Sequence, residues 1–271
     1  MNKSYLIKNK NWSERLSSSS GGVFISLATH IISNGGGVCA VKFNNDFTST
    51  EYDFITSIDD IKPLMGSKYL DTKPISQEII KNINNYLNNN KKVLFVGRPC
   101  QIYGIKNKIN HPNLYCVEIS CFGVPIDETW INYKNKIEKE HNSNIISVQF
   151  RNKIYGWNNY AVRIVFDNGD IILDEHLNNS YIKEYLSKKH LKSKCLNCKF
   201  DRGISTCSDL QIGDAWGVKR IIDDDNMGTS ICISYTNKGD DLLNSINKYC
   251  EINTISELKL DILKKYNRGL R

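Results

Sequence analysis
The sequence predicts an α/β fold with an α+β tendency in its second half. The expected core is a mixed sheet with a parallel βαβ unit, helices on both faces, and an antiparallel hairpin section after residue 145. Three observations carry this. The stretch KKVLFVGRPCQIYGIKNKINHPNLYCVEISCFGVP, residues 91–125, reads as strand, turn, helix, strand, and such a unit places its two strands parallel with a right-handed crossover. Residues 23–43 hold apolar positions at helical spacing (Phe24, Leu27, Ala28, Ile31, Ile32), then Gly35-Gly36-Gly37, then the strand-like run Val38 to Phe43. Finally, Ile145 to Phe150 and Ala161 to Phe166 alternate, and Asn168-Gly169 turns the second into Ile171 to Leu173. Asn-Gly between alternating runs is a hairpin signal.

The 271 residues and 40% hydrophobic content suffice for a large folded unit. The expected division is an N-terminal tail over 1–16, a main domain over 17–255 with a subdomain at 145–207, and a basic C-terminal tail over 256–271. That last stretch is amphipathic and reads as a helix packed on its own domain. The N-terminus has no apolar leader and no run suits a membrane span, which predicts a cytoplasmic protein. Nine cysteines without a leader argue for thiols used as ligands or nucleophiles rather than disulfides. A net charge of +7 favours anionic partners: a phosphate-bearing cofactor, an acidic substrate or protein, or nucleic acid. No nucleic-acid motif accompanies it, so nucleic acid is not expected.

In the central unit each strand delivers a cysteine just past its carboxyl end, Cys100 and Cys121. Open α/β sheets bind ligands at that edge, and neighbouring strands lie about 5 Å apart, so both thiols can face one centre. Cys195-Leu196-Asn197-Cys198 supplies a second pair in a basic loop. Its polar flanks do not match a strand-to-helix redox dithiol. Four thiolates suit a [4Fe–4S] cluster or an all-cysteine zinc, and spacing serves both. Zinc more often staples a small lobe, whereas ligands at the functional edge of a large sheet suit a redox centre. Cys207 is a fifth candidate. Cys39, Cys116, Cys232 and Cys250 read as core.

Ser17 to Gly22 opens the first long helix. Serine hydroxyls, free backbone N–H groups and the positive dipole end make an anion or phosphate site there. Gly66-Ser67-Lys68-Tyr69 could hold a phosphate or cover a planar ring, although spacing alone favours a simple surface turn.

Taken together, SSSSGGVF, GSKY, VLFVGRPCQIYGIK, LYCVEISCFGVP, FRNKIYGW, CLNCKF and SDLQIGDAWG resemble, in that order, the catalytic domain of the coenzyme F420 hydrogenase/dehydrogenase beta subunits. The resemblance runs from about Ser17 to about Lys238. It implies an iron–sulfur flavoprotein with FAD and a [4Fe–4S] cluster, exchanging electrons with a redox partner protein, a diffusible deazaflavin or another anionic substrate. It suggests Cys100, Cys121, Cys195 and Cys198 as cluster ligands. Candidates for the cofactor are Ser19, Ser20, Gly21, Gly22, Gly66, Ser67, Lys68, Tyr69, Gly97, Arg98, Gly123 and Trp157. Lys68, Arg151, Lys153 and Asp214 are the catalytic candidates.

Larger members carry a ferredoxin-like segment with two four-cysteine motifs. This chain has no cysteine before Cys39, so that electron wire is expected to come from another protein or not to be used. Arg98 stands where the family usually has threonine, and Ala215 where it has an aromatic. Two other readings keep the cysteines: an accessory reductase in cell-surface polysaccharide biosynthesis, and a non-catalytic four-cysteine metal-binding module.

Overall fold
The computed structural model describes residues 3–200, 206–267 and 269–270. The elements are β1 (Lys3–Asn9), α1 (Trp12–Ser17), α2 (Val23–Ser33), β2 (Gly37–Phe43), β3 (Thr50–Ile55), α3 (Gln77–Asn88), β4 (Val93–Gly97), α4 (Pro99–Lys106) and β5 (Leu114–Ile119). There follow α5 (Asp127–His141), β6 (Ile145–Asn152), β7 (Ala161–Phe166), β8 (Ile171–Glu175), α6 (Ser180–Ser187) and α7 (Ser193–Leu196). The chain closes with β9 (Leu210–Asp214), β10 (Ser230–Ser234), α8 (Asn237–Asn244), β11 (Cys250–Ile255) and α9 (Glu257–Lys264).

Among the described residues, eight strands form one sheet in the order β11-β1-β10-β9-β5-β4-β2-β3. Its middle is parallel. β4 and β5 pair from Val93–Leu114 to Gly97–Glu118, with β2 beside β4 and β9 beside β5 in the same sense. The predicted βαβ unit is therefore present, and its α4 begins at Pro99, where the missing N–H loses no helical bond. β3 closes one side antiparallel, and β10, β1 and β11 extend the other.

Strand residues alternate between two cores, as a period of two requires. Leu94 and Val96 pack with Leu27 and Ile31 of α2 and Leu242 of α8. Val93 and Phe95 face Ile83 and Leu87 of α3 and Ile102 and Ile105 of α4. Helices thus cover both faces. β6, β7 and β8 make a separate antiparallel sheet. Phe150, Ile164 and Phe166 of that sheet pack on Trp130 and Ile137 of α5 and Ile182 of α6.

The N-terminal tail expected over 1–16 is corrected. Residues 3–9 are β1, inserted between β10 and β11, and α1 follows. Leu6 and Ile7 drive this: Ile7 enters the core beside α2, and Leu6 a further core with Ala215, Ile231 and Ile233. Asn11 caps α1, its side-chain oxygen accepting from the N–H groups of Ser13 and Glu14. The helix expected in the basic C-terminal stretch is present as α9, packed on its own domain. Ser256 caps α9, whose Leu260 and Leu263 are buried beside Leu6, Ile231 and Ile233. β3, α6 and β11 were not expected from sequence. Among the described residues no helix is long and apolar enough to cross a membrane.

Candidate functional site
A cleft of about 680 Å³ lies at the carboxyl edge of the parallel strands. Val96 and Gly97 of β4, Ile119 of β5 and Ile212 to Asp214 of β9 form its floor. The close approach of β5 and β9 there requires glycine: a Cβ on Gly213 would stand 2.3 Å from Ser120 Oγ. The start of α2, the loop carrying Met65 to Leu70, and Arg151, Tyr160 and His176 from the second sheet and its loops form the walls.

The cofactor candidates Ser19, Ser20, Gly22, Gly66, Ser67, Lys68, Tyr69, Gly97, Arg98 and Gly123 all line this cleft; Gly21 and Trp157 do not. Gly22 caps α2 at φ +86°, and no side chain caps this eleven-residue helix. Its first N–H groups and dipole are therefore left for an anion. The serine hydroxyls are already engaged. Ser19 Oγ accepts from the Ser67 N–H at 2.6 Å, joining the two cofactor motifs, and Ser20 Oγ donates to the Thr229 carbonyl at 2.8 Å. Gly21 lies behind the wall, where a Cβ would meet the Ile7 carbonyl at 2.2 Å and its N–H donates to Ser230 Oγ.

Arg151 and Asp214 meet in a bidentate pair, both contacts at 3.0 Å. The guanidinium is stacked, 4.4 Å from the ring centre of Tyr160 and 4.7 Å from that of Trp216, and its Nη2 also donates to the Ser19 carbonyl. Such a fork is held in both position and angle. Trp157 is fully buried beneath, stacked on Trp216 and donating to Asp214 Oδ1 at 3.2 Å. It steadies the wall instead of touching the space.

Lys153, a catalytic candidate, faces away from the cleft. Its buried Nζ donates to the carbonyls of Arg15, Ser20 and Met227 at 2.6–2.8 Å. Burial first, then Arg151, draws its pKa down to about 7, against the pull of those carbonyls for the ammonium. Lys68 remains in the cleft wall. Its Nζ donates to the carbonyls of Leu64 and Met65 and burial lowers it to about 7.

The four candidate ligands come from three segments. Cys100 follows β4, and Cys121, which lines the cleft, follows β5. Cys195 and Cys198 are brought to the same edge by a short pairing: the Ile126 N–H donates to the His190 carbonyl and the Lys192 N–H to the Val124 carbonyl. Gly123 at φ +130° permits this, since a Cβ there would meet Leu191 at 2.6 Å. Burial pushes the Cys121 thiol up to about 11, opposed by Arg98, while the charges of Cys100 and Cys195 add to the rise. Burial also raises Cys195, whose neighbours include Cys100 and Cys198. Cys100, Cys121 and Cys195 thus feel one another's charge, with Cys198 beside Cys195, and the donor chemistry of four thiolates fits a cluster or zinc. Among the described residues no three cysteine, histidine or acidic side chains stand close enough together to hold a metal ion. Cys39, Cys116, Cys232 and Cys250 are buried, as expected; Cys207 is exposed.

Asp71 was missed from sequence. It accepts from Arg98 Nη2 at 3.3 Å and from Lys192 Nζ at 2.5 Å, tying the turn before Cys100 to the segment before Cys195. Lys192 also pairs with Asp127 at 3.1 Å. An isolated aspartate in a loop carries no motif. Tyr266, Asn267 and Gly269 also reach the cleft from the C-terminal end, a placement no local pattern announces.

Residues 90–258 match the family described as the C terminus of the coenzyme F420 hydrogenase/dehydrogenase beta subunit. The chain belongs to that family, and the resemblance read from its motifs is correct. This is a family of redox-enzyme subunits. A chain from a structure titled as xenon derivatization of the F420-reducing [NiFe] hydrogenase complex from Methanosarcina barkeri is similar in fold. It has a TM-score of 0.61 and 14% identity, covering 97% of this chain and 87% of that one. No curated protein matches the chain.

Proposed function
We propose that this chain is an iron–sulfur flavoprotein oxidoreductase that passes electrons between a [4Fe–4S] cluster, FAD and a soluble acceptor or donor. One observation carries the reading: cysteines from three separate segments are drawn to the same sheet edge that forms the floor of a large cleft. Bound FAD supplies paired-electron chemistry and a cluster supplies single electrons.

The protein's own contribution is positional. The uncapped start of α2, with Gly22, receives phosphate oxygens. Arg151, fixed by Asp214 and flanked by Tyr160 and Trp216, offers a rigid cationic wall. Lys68, with a pKa near 7, can hold or release a proton close to neutrality. Cys100, Cys121, Cys195 and Cys198 hold the cluster, and Asp71 with Arg98 and Lys192 keeps their segments together. Lys153 and Trp157 serve the site from behind.

Anaerobic purification followed by an absorption spectrum and iron, sulfide and flavin assays tests this. The expected result is a brown protein with about four iron atoms per chain and extractable FAD. A colourless protein carrying zinc and no flavin would favour the metal-binding module and end the redox reading.

A further inference from the structure
We propose that the surface around Cys195 and Cys198 is the docking face for an acidic electron-carrier protein; this rests on the redox reading above. Residues 188–199 carry Lys188, Lys189, Lys192, Lys194 and Lys199 and no acid. The segment is fixed, because its pairing with residues 124–126 and the clamp of Lys192 between Asp71 and Asp127 hold it to the sheet edge.

Nearby acids are largely spoken for. Asp71 and Asp127 are paired with Lys192, and Glu184 with His190; among the described residues, Glu128 borders the rim beside Lys194. Lys188, Lys189, Lys194 and Lys199 have no ion pair among the described residues. Two are held in place over rings, Lys188 at 4.3 Å from the centre of Phe122 and Lys199 at 4.5 Å from that of Tyr103. Within this ring of charge Leu196 is 56% exposed. A mobile lysine tuft would need neither fixed cations nor an apolar centre. A protein interface uses both: complementary charge steers the encounter, and a desolvated apolar contact holds it.

The thiols name the kind of occupant. Cys100 is exposed and Cys195 and Cys198 are partly so, so the candidate metal centre opens toward this same surface. The partner that fits is acidic and carries its own electron-transfer centre.

The test uses an acidic plant-type [2Fe–2S] ferredoxin as probe, with the full chain purified anaerobically, and reads binding by calorimetry. Binding should weaken about tenfold or more between low and moderate salt. The double variant K189E/K194E should lose about tenfold or more, and L196S several-fold. K91E/K108E, which reverses exposed lysines at the opposite sheet edge, should bind as wild type. No binding by wild type, equal binding by K189E/K194E, or an equal loss in K91E/K108E would overturn the proposal. Equal binding of an acidic protein without a redox centre would overturn the class of partner. Iron and flavin assays on the same samples separate the two claims. Lysine-dependent binding by a protein free of both would keep the docking face and remove the redox reading.

Discussion

Replacing Asp214 with alanine should destabilise the protein by about 3 kcal/mol. Arg151 is nearly fully buried, its side chain 4% exposed, and Asp214 is its bidentate carboxylate partner. Removing one member of a buried pair leaves an uncompensated charge, which is worth roughly 3–5 kcal/mol. The Asp214 side chain is 22% exposed, and water admitted there will solvate Arg151 in part, so the lower end applies. The Trp157 indole N–H loses its acceptor as well. At about 2–4 °C per kcal/mol for a chain near this size, Tm should fall by roughly 6–12 °C. Urea unfolding gives the free energy directly. The double variant R151M/D214A removes both charges and should regain part of the loss, with a coupling energy of about 1–3 kcal/mol in the cycle. A loss below about 1 kcal/mol for D214A, the value of an exposed pair, would refute the claim that this pair is a buried structural element of the cleft wall.

Lys153 gives a pH test. Burial lowers its folded pKa from 10.5 to about 7, so between those values the unfolded chain binds the extra proton and stability rises with pH. K153M should lower the baseline by leaving three carbonyls unpaired and should flatten that rise; an unchanged pH slope in urea unfolding would contradict it. Gly228 lies at φ +105°, and a Cβ there would stand 2.5 Å from both Lys153 Nζ and the Ser20 carbonyl. G228A should therefore cost about 2 kcal/mol or more, and wild-type stability would count against the observed packing of that loop on the serine–glycine turn. In chelator-treated, anaerobic, folded protein, iodoacetamide should label exposed Cys100 well before Cys39, Cys116, Cys232 and Cys250, which are buried. Mass spectrometry showing Cys116, pushed up to about 12 by burial, labelled as fast as Cys100 would be incompatible with this core.

Much of the fold is written in local pattern. The apolar run Val93 to Val96, the Pro99 that opens α4 and the run Leu114 to Ile119 specify a parallel pair whatever surrounds them. Hence Cys100 and Cys121 could be assigned to the carboxyl edge before any coordinate. Asn168-Gly169 sets the β7–β8 hairpin in the same way. β1 was hidden because a strand of seven residues with only two fully buried aliphatics looks like a polar tail until β10 and β11 flank it. Lys153 misled for a related reason. Its position two residues beyond Arg151 put it in the right motif, but the chain turns it to the other side, toward the carbonyls of Ser20 and Met227.

By itself the sequence determined the period of the central elements, the direction of the central strands, the family and the residue types gathered at one edge, since these follow from interactions a few residues long. Tertiary structure alone decided which distant groups meet. Arg151 found Asp214, Asp71 found Lys192, and the cysteine pair reached β5 through Leu191 and Pro125. Those partners lie tens of residues or more apart, and only the closing of the two sheets around their cores brings them within hydrogen-bonding reach.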